Sequence, residues 1–221
     1  MTADAFDGMR TRDWVRRFTE SVYATEAELT ALDQQAGDGD FGINLAAGVR
    51  AAGLLLDRTD GTAGPGETLG ILATAFLDEI GGTSGPLFGL LFQALSRAAA
   101  GCGPDLTGAA LADGTAQGLA AIRRVGGASP GDKTLVDALT PAATALRAAV
   151  GTPPATALVA AADGAWRGVR DTASLSARMG RASYLGERAT GIPDPGAVGV
   201  ALFFSSAAGT VHALAPHLAT G

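Results

Sequence analysis

The 221-residue chain has one cysteine, Cys102, which rules out an internal disulfide framework and a Cys-rich metal site. A small packing residue is the expected role for it. No GxxxxGK[ST] run occurs, so a Walker-type phosphate loop is absent. Gly, Ser, Thr or Pro interrupts every apolar stretch before it could cross a bilayer as a plain lipid-facing helix, and Met1 to Arg12 lacks the apolar core of a secretory signal. The expectation is therefore a cytoplasmic protein with no membrane partner. Basic residues are also short, 16 against 22 acidic, for a net charge of −6 and a pI of about 4.8. That balance argues against nucleic acid as a partner. An anionic ligand would have to be met locally, by divalent cations, a few basic side chains and helix N-termini.

The chain is rich in apolar residues, at 47% against 17% charged, so it can bury a substantial core. Nothing in the middle reads as a flexible linker, and residues 1–221 are taken as a single domain. Trp14, Phe18, Val22, Leu29 and Leu32, with Thr25 in the wider gap, mark one face of an amphipathic helix. Val136, Leu139, Ala143, Leu146 and Val150 mark another, with Asp132 positioned to cap its first turn. Between and after these, Gly and Pro clusters set off apolar segments at about 42–56, 66–80, 86–99, 106–124, 154–176 and 195–218. The pattern predicts eight helices. No sustained alternation of apolar and polar residues points to a sheet. The last segment is apolar around most of its circumference and so belongs among other helices, with His212 and His217 as packing or surface residues.

Three segments carry chemistry. In the first, Asp33-Gln34-Gln35-Ala36-Gly37-Asp38-Gly39-Asp40, the glycines let the chain turn sharply at a helix end and bring three carboxylates together. Their mutual repulsion favours a bound cation, and oxygen-only ligands suit Mg²⁺. The spacing does not match a 12-residue EF-hand loop closed by Glu. In the second, Gly81-Gly82-Thr83-Ser84-Gly85-Pro86 precedes an apolar run, so that Ser84 can cap a helix whose positive end accepts phosphate. In the third, Gly126 to Leu135 is another Gly-rich approach to a helix, where Lys133 is open to either a phosphate contact or a loop-fixing role. A long link from Ala177 to Asp194, rich in Gly and basic residues, reads as an ordered lid anchored by Tyr184, Leu185 and Ile192.

Read in order, the segments LDQQAGDGDFG, GGTSGPLFG, GDKTLVDAL and GRASYLGERATGIPDPGA, spread over residues 32–197, resemble the nucleotide-binding L subunit of dihydroxyacetone kinase. The same module forms the C-terminal domain of single-chain dihydroxyacetone kinases. The resemblance implies an all-α fold, an eight-helix antiparallel barrel with a Gly-rich capping loop over a nucleotide. It assigns Asp33, Asp38 and Asp40 to two Mg²⁺ ions bridging the phosphates of ADP or ATP. Nucleotide contacts carry over onto Phe41, Gly42, Ile43, Asn44, Thr83, Ser84, Gly126, Leu135, Arg181, Asp194, Pro195 and Gly196. Arg181 is the catalytic candidate, stabilising charge on the transferring group.

The implied activity is phosphoryl transfer to dihydroxyacetone or a related small ketose, held covalently by a histidine of a partner subunit or domain. The family uses ATP as a consumable donor, or keeps ADP bound for rephosphorylation by a phosphotransferase-system protein. Partners are thus a substrate-binding dihydroxyacetone kinase subunit and, in the second mode, a phosphocarrier; a homodimer is compatible with either. Phe41 departs from the family, which commonly has His there, and Leu135 replaces the commoner Met; the first change implies a lost polar contact near the nucleotide. Two alternatives stand beside this reading: a non-catalytic regulatory subunit that senses nucleotide, and the related nucleotide domain of fatty-acid kinase, which the GRASYLGER text disfavours.

Overall fold

Periodicity in the sequence becomes a ring of helices in a computed structural model that describes residues 5–59, 61–78, 84–184 and 189–219, without the side chain of Arg181. Asp7 accepts the Arg10 N–H at 2.9 Å and so starts α1, Gly8–Ala36, earlier than the apolar spacing alone suggested. Its buried face holds Trp14, Phe18, Val22, Thr25 and Leu29. There follow α2 (Phe41–Leu56), α3 (Pro65–Asp78), α4 (Ser84–Ala100), α5 (Gly108–Gly126), α6 (Leu135–Ala148), α7 (Pro154–Thr172) and α8 (Pro195–Ser205). A last single turn, α9, spans Ala215–Leu218. No strand occurs among the described residues.

Each helix packs on the next, and α8 returns to α1, so the chain closes on itself. Packed neighbours in this ring run antiparallel, through short links everywhere except the longer 173–194 connection between α7 and α8. The even-numbered helices then share one direction and the odd-numbered the other. One contiguous apolar core fills the interior. Helix α8 lies against α1, α2, α6 and α7, which explains why Ala197 to Phe204 are all buried. An aromatic chain threads that core: Trp14 stacks on Phe203 at 4.5 Å between centroids, Phe203 meets Phe92 at 4.9 Å, and Phe92 meets Phe76 at 5.0 Å. The Trp14 indole N–H donates to the Phe203 carbonyl at 2.7 Å, so its one polar atom is satisfied.

Three expectations about boundaries and caps change. The predicted helix to Leu218 stops at Ser205, because the Val211 N–H bonds the Ser21 hydroxyl and the Leu214 N–H bonds the Glu28 carboxylate, drawing the tail across α1 instead. Helix α7 ends at Thr172 rather than Ser176, in a turn closed by the Ala173 and Ser174 N–H groups. Asp132 does not cap α6. Thr134 does, in a capping box with Asp137, while Asp132 accepts from the Ser129 N–H and faces Arg178 at 3.7 Å. The tail is secured a second time where His217 stacks on Trp166 at 4.5 Å and its carbonyl accepts from Arg170, a packing role in line with expectation.

Helices α6 and α7 meet at a seam of glycines. A Cβ on Gly168 would overlap the Asp137 carbonyl oxygen, and one on Gly164 would lie 2.8 Å from the Pro141 carbonyl oxygen. Backbone faces backbone here, so no side chain can swing aside. Gly168→Ala is therefore expected to destabilise the fold by about 1–3 kcal/mol through forced separation of the two helices. Urea unfolding would show a lower midpoint at an unchanged slope, and an unchanged midpoint would count against this seam.

Candidate functional site

The alternation of helix direction brings the first residues of α2, α4, α6 and α8 to the same end of the ring. One cavity of about 220 Å³ there is lined by Phe41 and Asn44 of α2, Ser84 and Leu87 of α4, Leu135 and Val136 of α6, and Pro195 and Gly196 of α8. Ile122 and Gly126 from the end of α5, and Asp33 and Ala36 from the end of α1, complete that wall. The positive ends of four helix dipoles thus face one space. Such an end attracts anions, notably phosphate.

The acidic segment lies where α1 gives way to α2. The Gly37 N–H returns to the Asp33 carbonyl at 2.5 Å, closing α1, and a Cβ on Gly37 would collide with Asp33 Oδ1. The Phe41 N–H donates to Asp33 Oδ2 at 3.0 Å, tying the start of α2 to the end of α1. One carboxylate oxygen from each of Asp33, Asp38 and Asp40 falls within 4.8 Å of the others. Two full charges at that separation repel by roughly 3.5 kcal/mol at an effective dielectric of about 20. Three separate oxygen donors on one tight turn fit a hard divalent cation such as Mg²⁺.

Of the residues singled out from sequence, Asp33, Asp38, Asp40, Phe41, Asn44, Ser84, Gly126, Leu135, Asp194, Pro195 and Gly196 all line the cavity. Gly42 and Ile43 do not. Gly42 is turned to α1, where a Cβ would strike Thr30 and the Glu26 carbonyl oxygen, and its job is close helix approach. Ile43 is 57% exposed and borders a groove on the outer side of α1 with Tyr23 and Gln34. Ser84 is the first residue of α4, while Thr83, with the rest of the 79–83 segment, lies outside the described residues. The Arg181 backbone sits in a 3₁₀ turn, Arg181–Tyr184, between Gly180 and Ala182, which both line the cavity; its side chain lies outside the described atoms.

Phe41 sits at the boundary between cavity and core. Its ring is 5% exposed and points into the core, 6.3 Å from the Phe88 ring and against Gly199. The position extends the aromatic chain up to the acidic turn, at the edge of the cavity. The apolar wall of Leu87, Ile122, Ala128 and Met179 escaped the sequence reading because these residues lie far apart in the chain and look like ordinary core. Tyr184, expected as an anchor of the long link, is 87% exposed, and Leu185 lies outside the described residues. The link is held instead by Ala177 and Ala189, both buried, and by its backbone: the Gly191 N–H bonds the Ala173 carbonyl at 2.7 Å.

Lys133 is buried and also lines the cavity, but its ammonium donates to the Thr172 and Ile192 carbonyls, each at 2.7 Å. Of the two roles left open, loop fixing is the one seen. Burial lowers the Lys133 pKa, against the raising influence of Asp194. Asp194 caps α8 by accepting the Ala197 N–H at 2.7 Å, and its own N–H donates to the Thr172 hydroxyl. Burial pushes the Asp194 carboxyl up to about 7, helped by the charges of Asp137 and Asp33 and opposed by the Ala197 hydrogen bond and Lys133.

Comparison with known proteins comes to the same region. A profile described as DAK2 domain matches residues 35–209. The chain is 43% identical over 193 residues to L-erythrulose 1-kinase of Mycolicibacterium smegmatis, covering 86% of this chain and 33% of that enzyme. It is 36% identical over 194 residues to the ADP-binding subunit DhaL of a PEP-dependent dihydroxyacetone kinase of Listeria innocua, covering 86% of this chain and 90% of that subunit. It thus spans about a third of the erythrulose kinases it matches and nearly all of the DhaL subunit. Among solved structures it superposes on dihydroxyacetone kinase from C. freundii in complex with AMP-PNP and Mg²⁺, with a TM-score of 0.67 and 31% identity over 89% of this chain and 33% of that one.

Asp194 offers a test of the site that needs no ligand. Between the ordinary carboxylate range and about pH 7 the folded chain retains a proton that the unfolded chain has released. Raising pH through that window therefore costs stability, and the loss is complete above it. Asp194→Asn keeps the cap acceptor and removes the charge. In magnesium-free buffer the variant is expected to gain on the parent between pH 4 and 8 by on the order of 2 kcal/mol, a figure reduced from the per-unit conversion because the cavity admits water. Parallel thermal melts that keep the same gap at both pH values would contradict the shift.

Proposed function

Because the chain belongs to the DAK2 domain family and is a DhaL-type nucleotide-binding domain, we propose that residues 1–221 work as one magnesium–nucleotide phosphotransfer unit for a small ketose. The observation that carries this reading is the joining of three clustered carboxylates to four helix N-termini around one cavity. Asp33, Asp38 and Asp40 would hold Mg²⁺, two ions in this proposal, and ADP or ATP would run from them towards Ser84, Leu135 and Pro195-Gly196. Bound magnesium would supply charge neutralisation at the phosphate oxygens.

The chain's own residues do the rest. The N–H groups at the starts of α4, α6 and α8 orient the phosphates. Asn44, one turn into α2, offers an amide beside them. Leu87, Ile122, Leu135 and Met179 give an apolar wall suited to a nucleobase. Arg181 is the candidate for stabilising charge on the group in transfer, from a turn whose flanking residues line the cavity. The 177–194 link would act as the lid: Met179, Gly180 and Ala182 from it line the cavity, where they would help exclude water.

The acceptor, dihydroxyacetone or a related ketose such as erythrulose, would be presented by a partner subunit or by a further domain of a longer polypeptide. Named relatives include both arrangements: erythrulose kinases three times the length of the match, and separate DhaL subunits called PTS-dependent or PEP-dependent. Either ATP would be consumed as the donor, or ADP would stay bound and be rephosphorylated by a phosphocarrier. No helix among the described residues is long and apolar enough to cross a membrane, which suits the cytoplasmic setting proposed for such a unit. The alternative, a non-catalytic regulatory subunit that senses nucleotide, would bind magnesium–ADP without supporting transfer.

Two substitutions test this reading. Asp38→Asn should weaken magnesium-dependent ADP binding by roughly tenfold or more, about 1.4 kcal/mol, with melting of the unliganded chain little changed. Calorimetry that finds the same magnesium dependence in the variant would remove Asp38 from the ligand set. Arg181→Ala should lower turnover with a substrate-binding subunit by on the order of 100-fold while leaving ADP affinity within a few-fold. Wild-type turnover in that variant would free Arg181 from the chemistry.

A further inference from the structure

Of the 16 basic residues only one is lysine, and it is the least accessible of those described: Lys133 is 1% exposed. It is also the one non-glycine residue with positive φ among the described residues, at 61°. The same loop has Gly131 at φ 95°, where no side chain is needed. Glycine would suit position 133 better on backbone grounds, so the side chain must contribute something that outweighs the strain.

Its contacts say what. One donor of the ammonium goes to Thr172, the last residue of α7, and a second to Ile192, two residues before the cap of α8. Those positions are the two ends of the long link. Three further bonds gather at the same base: Gly191 N–H to the Ala173 carbonyl, Asp194 N–H to the Thr172 hydroxyl, and Arg178 N–H to the Asp132 carbonyl beside Lys133. The link from 173 to 194 is therefore a loop closed at its neck by a buried ammonium. Gly180 and Ala182 on one limb and Asp194 to Gly196 just beyond the neck all line the cavity.

The geometry points to Lys133 as a positioning residue: it staples the neck of the 173–194 loop and so holds the loop's inner limb and the start of α8 on the nucleotide cavity, without touching the reacting atoms. An apolar residue of similar length would fill the space but release both carbonyls, and each limb could then move separately. A guanidinium retains donors for both. The consequence for nucleotide binding rests on the phosphotransfer reading, whereas the staple itself does not.

The test uses the full chain in three forms, wild type, Lys133→Met and Lys133→Arg. Trypsin cleavage after Arg178 and Arg181 should be at least tenfold faster in Lys133→Met than in wild type, with cleavage after Arg50 and Arg97 in α2 and α4 unchanged, and Lys133→Arg should return close to wild type. Magnesium–ADP affinity should fall about tenfold in Lys133→Met and recover in Lys133→Arg. Equal acceleration at loop and helix sites would mean general unfolding and would overturn the proposal, as would an unchanged loop rate. Should the methionine variant not fold, hydrogen exchange in the wild type decides: the Gly191 and Asp194 amides should be as protected as core amides of α6, and exchange through a separate, easier opening would overturn the staple. Absence of ADP binding by the wild type would sink the phosphotransfer reading alone, because cleavage and exchange still report on the neck.

Discussion

The structure depends on the strict reversal of direction from each helix to the next. A helix dipole is weak and is screened within a turn or so, and a single N-terminus offers an anion little. Closing eight antiparallel helices into a ring removes that weakness, because every even-numbered helix then begins at the same end. Four helix N-termini come to line one cavity, and an acidic protein gains positive partial charge there without recruiting surface lysines. The odd-numbered helices finish at that end, and the carboxylates stand on the last turn of α1 and the link from it to α2. Opposite charges are thereby set side by side, the carboxylate cluster next to the helix N-termini.

Such an arrangement is useful only if the ends stay in register, and the core below them keeps them so. Helix α8 is too short and too apolar to be anything but enclosed, and four neighbours lean on it. The aromatic chain from Trp14 through Phe203, Phe92 and Phe88 to Phe41 links the middle of the ring to the acidic turn. Close backbone approach at Gly164 and Gly168 locks α7 on α6, and α7 in turn presents the Thr172 carbonyl and hydroxyl that hold the neck of the long link. Packing deep in the core and loop geometry at the mouth are consequently one problem.

Much of the fold was legible in the sequence because helix-forming segments here are long, apolar at regular intervals and bounded by Gly and Pro, which local chemistry alone encodes. The acidic turn was equally legible, since its three carboxylates are close in sequence before they are close in space. What stayed hidden depends on tertiary placement. No local signal distinguishes Leu87 or Ile122, which line the cavity, from Leu91, which does not. Ile43 and Asn44 are neighbours in the chain, yet one helical step of about 100° sends the first outward and the second to the cavity. The end of α8 was misread because the apolar pattern continues through Val211 and Leu214, whose burial comes from α1 and not from a longer helix.

Phe41 shows how a local departure is read differently once its surroundings are known. Histidine next to a cluster of aspartates would suggest a polar contact to ligand, and phenylalanine there would suggest a loss. The backbone of residue 41 meets the acidic turn through the N–H that holds Asp33, and any residue except proline supplies that bond. The ring is directed the other way, onto Phe88, in a gap left open by Gly199. The two halves of the residue thus answer to different constraints. The backbone holds one carboxylate of the acidic turn, and the side chain ties that same turn to the core through Phe88.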